Sequence, residues 1–468
     1  MTRRPRPHGL VAAAAALVTG VGMSVSAAAS PAARPTVVAL GQIASQDVAP
    51  QPGCEPDTLV EPSVAVSPVD PRISVAATHD CRYPNGGAVD ISYAWTHDGG
   101  AHWHHAALPG LTEAVGGTWD RASDPVVGYG PDGTVYIAAL VFDRTCPTGI
   151  TVSRSTDGGA TFGAPVQVQR SNTCAYSDDK DWLVTDTEPH SPHLGRIYVF
   201  WTPFISDAAG HVTGVPQVVR WSDDRGATWS ATHLVTLAHD HTQNSQPMVQ
   251  PNGTLVDVYQ HYTPTTPTDS GINIASRVSR DGGATWGPGH VVASNVSPGP
   301  PAIRCCLNAA ADDPLSGRLY TVWQANAVGE PVELSSSVDG VTWSAPVAVT
   351  PTAGEADIQH VNTAVTAYGG RVLVTYGVRN TAAAGGRYVQ QEVAYSGDAG
   401  KTFGRPMSLG PASDLRYAAQ AGGKFPGDYI GISEVGRVVT AAWCVSSKPA
   451  NPSLAFNQTL YAASLLTP

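Results

Sequence analysis

One short pattern recurs six times along the chain. A hydroxyl residue and one further residue precede an Asp; a Gly-containing turn and an aromatic follow. The copies run Thr96 to Trp103, Ser155 to Phe162, Ser222 to Trp229, Ser279 to Trp286, Ser337 to Trp343 and Ser396 to Phe403. Their aspartates, Asp98, Asp157, Asp224, Asp281, Asp339 and Asp398, stand 57 to 67 residues apart. A fixed period of this length marks a repeat architecture in which each unit buries its apolar face against its neighbours. Within the motif the Asp can accept hydrogen bonds from backbone N–H groups ahead of it, and the glycine supplies a positive φ. The aromatic can then fold back into the apolar layer between units. These six aspartates are therefore expected to be structural, not catalytic.

Strand-like runs flank every copy. Before the motifs lie Val89–Trp95, Ile150–Arg154, Gln217–Trp221, Ile272–Val278, Val332–Ser336 and Val389–Tyr395, and short runs such as Val166–Gln169 follow them. Upstream of each is a β-rich run, from Ile73–Thr78 to a seventh copy, Val438–Trp443. Before each of those comes another, from Val64–Val66 to Tyr429–Ile432. The reading is four strands per repeat and seven repeats. The seventh has no Asp motif and ends on its third strand, Leu460–Leu465; the run Val37–Ala44 can supply the fourth. An open stack, or six units with a spare hairpin, would fit the period as well. A closed ring removes exposed sheet edges. The expected fold is all-β: a single β-propeller of seven four-stranded blades, six with the Asp motif, closed by an N-terminal strand.

Composition agrees with an exported β-protein. Charged residues are 14% of the chain against 48 Gly and 38 Pro, low charge with many turn formers. A net charge of −11 argues against nucleic acid or an anionic membrane as partner. Arg3, Arg4 and Arg6 precede an apolar run from about Leu10 to Val25, and small residues end at Ala29. This reads as a secretory leader over residues 1–29, followed by a linker with the closing strand over 30–52 and the propeller over 53–468. An oxidising destination permits disulfides. Chain proximity pairs Cys54 with Cys81 and Cys146 with Cys174; adjacent Cys305 and Cys306 could form a vicinal bridge, and sequence does not settle these pairings.

The repeated motif resembles the Asp-box of the sialidase superfamily, and the resemblance spans residues 60–445. It implies a propeller in which the starts of the innermost strands share one face and the Asp-boxes lie on the other. Fold of this kind carries many reactions. On the implied face stand Glu61, Asp124, Asp181, His360, Asp428 and Tyr429 as catalytic candidates, with Arg121, Lys180, Asn244, Arg304, Asn362 and Arg379 as substrate-binding candidates. The loops beyond the second strands add His79, Asp80, Arg82, Tyr83 and Tyr262. Glycosidic cleavage needs one carboxylic acid to protonate the leaving oxygen and a second group as nucleophile or base. A lyase would instead need a neutralised uronate and a His, Tyr or Lys base. Polar residues at strand starts can also simply cap backbone groups.

The chain departs from true sialidases at one point. They carry Arg-Ile-Pro at the first inner strand, whose arginine clamps the sialic acid carboxylate. Here the segment is Val60-Glu61-Pro62-Ser63, with a carboxylate in the arginine's place, which argues against sialic acid. Arg121, Arg304 and Arg379 could compose another arginine cluster. Trp201, Phe204, Tyr259, Tyr262, Trp323, Tyr376 and Trp443 could stack on sugar faces or pack between sheets. The expected function is a secreted carbohydrate-active enzyme, hydrolase or lyase, with an extracellular glycan as partner; a non-catalytic module binding a glycan or protein is the alternative. A monomer without nucleic acid or membrane partners is expected, with no required cofactor and no metal at the catalytic residues. Calcium is compatible with Asp178-Asp179 and Asp312-Asp313.

Overall fold

The computed structural model describes residues 34–266, 269–300, 302–350 and 356–468. The expected leader lies outside them. Among the described residues regular structure is almost entirely β, with three single-turn 3₁₀ helices, as the all-β reading requires. No helix among them is long and apolar enough to cross a membrane.

Most of the strands form seven antiparallel groups of four, and Ala419–Gln420 pairs with Lys424–Phe425 as a separate two-stranded sheet. Sheet I comprises Ser63–Val66, Ser74–Arg82, Ala88–Thr96 and His104–Ala107; sheet II comprises Arg121–Tyr129, Val135–Phe142, Thr148–Ser155 and Val166–Ser171. A single bridge, Ala88 to Ala122, links them. Sheet III contains Tyr176–Thr185, Ile197–Ser206, Val218–Ser222 and His233–Leu234, with Val212–Gly214 as an added hairpin strand. Sheet IV has Thr242–Val249, Leu255–Thr266, Asp269–Ser279 and His290–Ala293. Sheet V has Ala309–Asp312, Leu319–Gln324, Val332–Ser337 and Val347–Ala348. Sheet VI has Ile358–Tyr368, Arg371–Asn380, Tyr388–Ser396 and Met407–Asp414. Sheet VII takes Gly431–Val435, Val438–Ser446 and Gln458–Leu466 from the C-terminal end and Thr36–Ala44 from the N-terminal end. Thr36–Ala44 pairs antiparallel with Gln458–Leu466, from Thr36 opposite Leu466 to Ala44 opposite Leu460.

Alternate residues of each strand face opposite sides, so both faces of a sheet sandwiched between two others must be apolar. Separate hydrophobic clusters lie between sheets I and II, II and III, III and IV, IV and V, V and VI, VI and VII, and VII and I. The Asp-box aromatics enter six of these layers. Phe162 packs between sheets I and II, Trp229 between II and III, and Trp286 between III and IV. Trp343, Phe403 and Trp103 do the same for the layers IV–V, V–VI and VII–I. Each motif holds its own turn: in the second, Asp157 accepts from Ser155 Oγ and from the N–H and hydroxyl of Thr161, at 2.7, 2.9 and 2.6 Å. The disulfides are Cys54–Cys81, Cys146–Cys174 and the vicinal Cys305–Cys306; Cys444 is free and buried.

The inner strands share a second device. Just before or inside the start of each stands a residue in the left-handed region: Glu61, Asp124, Lys180, Asn244, Cys306, Asn362 and Gly427, one per sheet. A left-handed non-glycine residue costs about 1–2 kcal/mol, so six such positions must be held by their surroundings. Register shifts sit at the same places in sheets II, III, IV and VI. The extra residue of such a bulge re-aims side chains and bends the strand entry. Beyond it the strands run as apolar stretches such as Val64–Val66 and Ala364–Ala367, buried in both directions.

Candidate functional site

The left-handed entries of sheets I, II and III bring Glu61, Asp124 and Lys180 to one cavity of about 390 Å³. Its wall also includes His79, Ser123, Asp179, Gln243, Tyr262, Arg304, Cys305, Phe425 and Asp428. None of the six Asp-box aspartates lines it. Every residue in this wall that carries charge comes from an inner-strand entry, from the far end of a second strand, or from the segment bearing the vicinal disulfide.

Glu61, Asp124 and His79 form the centre, each at least nine-tenths buried. His79 Nε2 lies 3.1 Å from Glu61 Oε2 and 3.2 Å from Ser123 Oγ. The Asp124 N–H donates to the same nitrogen at 3.2 Å. A proton on Nε2 would serve Glu61, and its lone pair would serve Asp124, so the imidazole can take only one of these roles at a time. Ser123 Oγ donates to Asp124 Oδ1 at 2.6 Å, and the Asp428 N–H donates to Glu61 Oε1 at 3.2 Å. Arg304 grips the Asp428 carboxylate through Nε and Nη2, at 3.1 and 2.7 Å, a bidentate geometry suited to guanidinium. Lys180 Nζ sits 3.9 Å from the centroid of the Tyr429 ring and 4.7 Å from that of Trp182.

These neighbours separate the acidities of the carboxyls. Burial pushes Glu61 up, but the hydrogen bond and charge of His79, with the charges of Lys180 and Arg304, outweigh it and hold Glu61 at about 2. Asp124 goes the other way: burial, then the charge of Glu61, raise it well above the ordinary range despite Lys180. Asp428 is raised to about 6 by burial and by Glu61, against the pull of Arg304. One pocket thus holds an ionised carboxylate beside a carboxylic acid, the arrangement that divides roles between two acidic groups in catalysis.

The same centre meets the geometric requirement of a metal site: one ligand atom each from Glu61, His79 and Asp124 lie within 4.8 Å of one another. Lys180 and Arg304 already place positive charge on Glu61.

The structure distributes the sequence candidates unevenly. Glu61, Asp124, Lys180, Arg304 and Asp428 line the cavity. Tyr429 lies beneath it, its hydroxyl donating to the Pro125 carbonyl at 3.2 Å while its ring faces Lys180. Asp181 is fully buried outside the lining, and burial raises it to about 8. Asn244 and Asn362 bind sheet to sheet: Asn244 donates to the Asn308 carbonyl at 2.7 Å, and Asn362 to the Gly427 carbonyl at 2.9 Å. His360 Nδ1 is 2.9 Å from the Gly329 carbonyl, away from the cavity wall. The three arginines do not cluster. Arg121 donates to Asn85 and Gly86 and covers the Tyr83 ring, and Arg379 binds Gln359 and Gly386; only Arg304 of the three reaches the cavity. Of the aromatic candidates, Trp201, Tyr259, Trp323, Tyr376 and Trp443 are buried, and Tyr262 lines the site.

His79 is the residue whose importance the sequence underplayed. The sequence puts it in a loop with Asp80 and Arg82, whereas all three lie within the strand Ser74–Arg82. Asp80 accepts from the Val48 and Ala49 N–H groups and serves the scaffold; Arg82 pairs with Glu55 and also lines the cavity. Ser123, Gln243 and Phe425 carried no signal at all, since their place depends on which sheets adjoin.

Residues 189–421 match the family model of the BNR repeat-like domain. No curated protein matches the chain. Among solved structures, the BP39L lectin from Burkholderia pseudomallei aligns over 88% of this chain and 96% of its own, at 10% identity and a TM-score of 0.51. A protein of unknown function from Dyadobacter fermentans aligns over 92% and 100%, at 14% identity and 0.50. An α-L-arabinanase of Penicillium chrysogenum, solved with arabinobiose, aligns over 92% and 99%, at 12% identity and 0.48. Such identities speak to the fold alone. With its repeated Asp-boxes, the chain is similar over residues 189–421 to proteins with the BNR repeat-like domain.

Proposed function

We propose that the chain is a secreted, monomeric glycoside hydrolase on a closed seven-bladed propeller, cleaving an extracellular glycan at the Glu61–Asp124 pocket. Closure is supported by the seven apolar layers, the last joining sheet VII to sheet I, and by the pairing of the two chain ends in sheet VII. The observation that carries the activity is the opposed acidity of Glu61 and Asp124 at close range. Protonated Asp124 gives its proton to the glycosidic oxygen while the Glu61 carboxylate attacks the anomeric carbon; the C–O bond breaks and a glycosyl ester forms. Asp124, now ionised, takes a proton from water, whose oxygen attacks the anomeric carbon and breaks its bond to Glu61, releasing the free sugar and the carboxylate. Carboxyl groups about 5–5.5 Å apart accompany retention of configuration and wider pairs inversion; an oxygen of each of Glu61 and Asp124 within 4.8 Å of the other favours retention. Arg304, held on Asp428, and Lys180 would position substrate hydroxyl or carboxylate groups.

The test is incubation of the purified protein with aryl glycosides and a panel of polysaccharides. New reducing ends with retained anomeric configuration, abolished in Glu61→Gln at unchanged melting temperature, are expected. Ultraviolet absorbance from an unsaturated uronate would replace this reading with a lyase. Retention on one glycan without turnover would replace it with a binding module.

A further inference from the structure

The inner strands end at a second cavity, of about 710 Å³, lined by residues from all seven. It holds three carboxyl side chains from three sheets. Glu188 follows sheet III's inner strand, Asp312 ends that of sheet V, and Glu434 lies in that of sheet VII. Glu188 is 5% exposed. Among the described residues its carboxylate accepts no hydrogen bond and meets no cation; only its main chain is tied, the N–H to Asp186 and the carbonyl to the Ser191 N–H. The Asp312 carboxylate likewise accepts from no other residue. Asp186 and Asp313 adjoin, but their oxygens are engaged: Asp186 by Ser191 and the Glu188 N–H, Asp313 by Ser316 and the N–H groups of Leu315, Gly369 and Gly370. Glu434 is held through Oε1 by Arg371, its Oε2 left without a partner.

We propose that the cavity at this end of the inner strands binds a hard divalent cation, of the calcium or magnesium class, through the unpartnered carboxylates of Glu188 and Asp312, with water completing its shell. Unpaired carboxylates leave the charged state uncompensated. An oxygen-only pair beside room for several waters suits hard cations, which keep much of their hydration on one or two carboxylates. Burial, and then the charge of Glu188, push Asp312 up to about 7, and burial with Asp186 and Asp313 does the same to Glu188. A bound cation would reverse both shifts. The site is independent of the chemistry at Glu61 and Asp124.

Full-length protein, stripped with a chelator at pH 8, is titrated with calcium, magnesium and spermidine. Melting temperature and isothermal calorimetry are followed. Calcium or magnesium is expected to raise the melting temperature and to bind with a stoichiometry of about one. Glu188→Gln and Asp312→Asn are each expected to weaken binding tenfold or more. Glu61→Gln should leave it unchanged. Without any cation, Glu188→Gln should melt higher than the parent, because a repulsive charge is gone; this separates lost binding from lost folding. Absence of binding at millimolar calcium and magnesium overturns the proposal. So do a response to spermidine alone, binding lost in Glu61→Gln but kept in Glu188→Gln, and a cation-free Glu188→Gln that melts lower than the parent.

Discussion

At the residue scale, the chemistry depends on single side chains forced into unusual states. Glu61 and Asp124 have left-handed backbones, buried positions and displaced acidities of opposite sign, a combination that marks functional sites more often than stable ones. If Asp124 is the proton donor, Asp124→Asn should cost about 10²–10⁴-fold on substrates with poor leaving groups. Aryl glycosides whose leaving group needs no proton should be far less affected, and comparison of the two substrate series measures this. Activity should persist well below pH 4, where Glu61 stays ionised, and fall on the alkaline side as Asp124 loses its proton; the pH dependence of kcat/KM reads both limbs. Asn244 tests the scaffold at the same scale. Ala there would lose two hydrogen bonds to Asn308 and keep the left-handed strain that Asn tolerates better. A loss of about 2–3 kcal/mol by denaturant unfolding is expected.

At the scale of the element, the Asp-box and the N-terminal strand do different work. An Asp-box aspartate ties its own turn, and the aromatic after it fills the layer toward the preceding sheet. Asp157→Ala should therefore cost about 1–3 kcal/mol through the donors left unpaired while leaving catalysis at the distant pocket intact; melting temperature and turnover of the same preparation decide it. Thr36–Ala44 covers the outer edge of Gln458–Leu466. Its removal would expose a strand edge, and such edges template association. Truncation at Ile43 is expected to give soluble aggregates by size-exclusion chromatography.

At the scale of the whole molecule, buried carboxyls set how stability follows pH. Asp257, Asp312, Glu188 and Glu434 are raised to about 7 and Asp181 to about 8, burial being the main cause in each. The folded chain keeps these protons at pH values where the unfolded chain, with carboxyls near 4, has lost them. Their effect is nil below about pH 4, and stability declines as pH climbs from there toward 8. Glu61, held at about 2, acts oppositely: its contribution is present above its unfolded value and disappears as pH falls toward 2. The melting temperature without added cations should be higher at pH 5 than at pH 8.

Much of the architecture was legible in the order of residues, because strands and turns are local. The alternation of apolar runs, the Asp-Gly turns and their period gave an all-β chain of repeated hairpins, and the run Val438–Trp443 marked a seventh repeat without its motif. Chain proximity pointed to Cys54–Cys81 and Cys146–Cys174, which close short loops, and the tertiary structure settled them. Part of the pocket was legible too: Glu61, Asp124, Lys180, Arg304 and Asp428 stand at strand entries, whose position along the repeat is a sequence property. What only the tertiary structure decided is which of seven similar entries meet. Asn244 and Asn362 stand at comparable strand entries yet bind Asn308 and Gly427 of the next sheet, more than sixty residues away, while His360, Arg121 and Arg379 are taken up by nearer partners, Gly329, Asn85 with Gly86, and Gln359 with Gly386. His79 became central for the same reason, the far end of one strand lying against the entry of the next. Burial, and with it the acidity of every carboxyl discussed, is a property of that assembly and of no local segment.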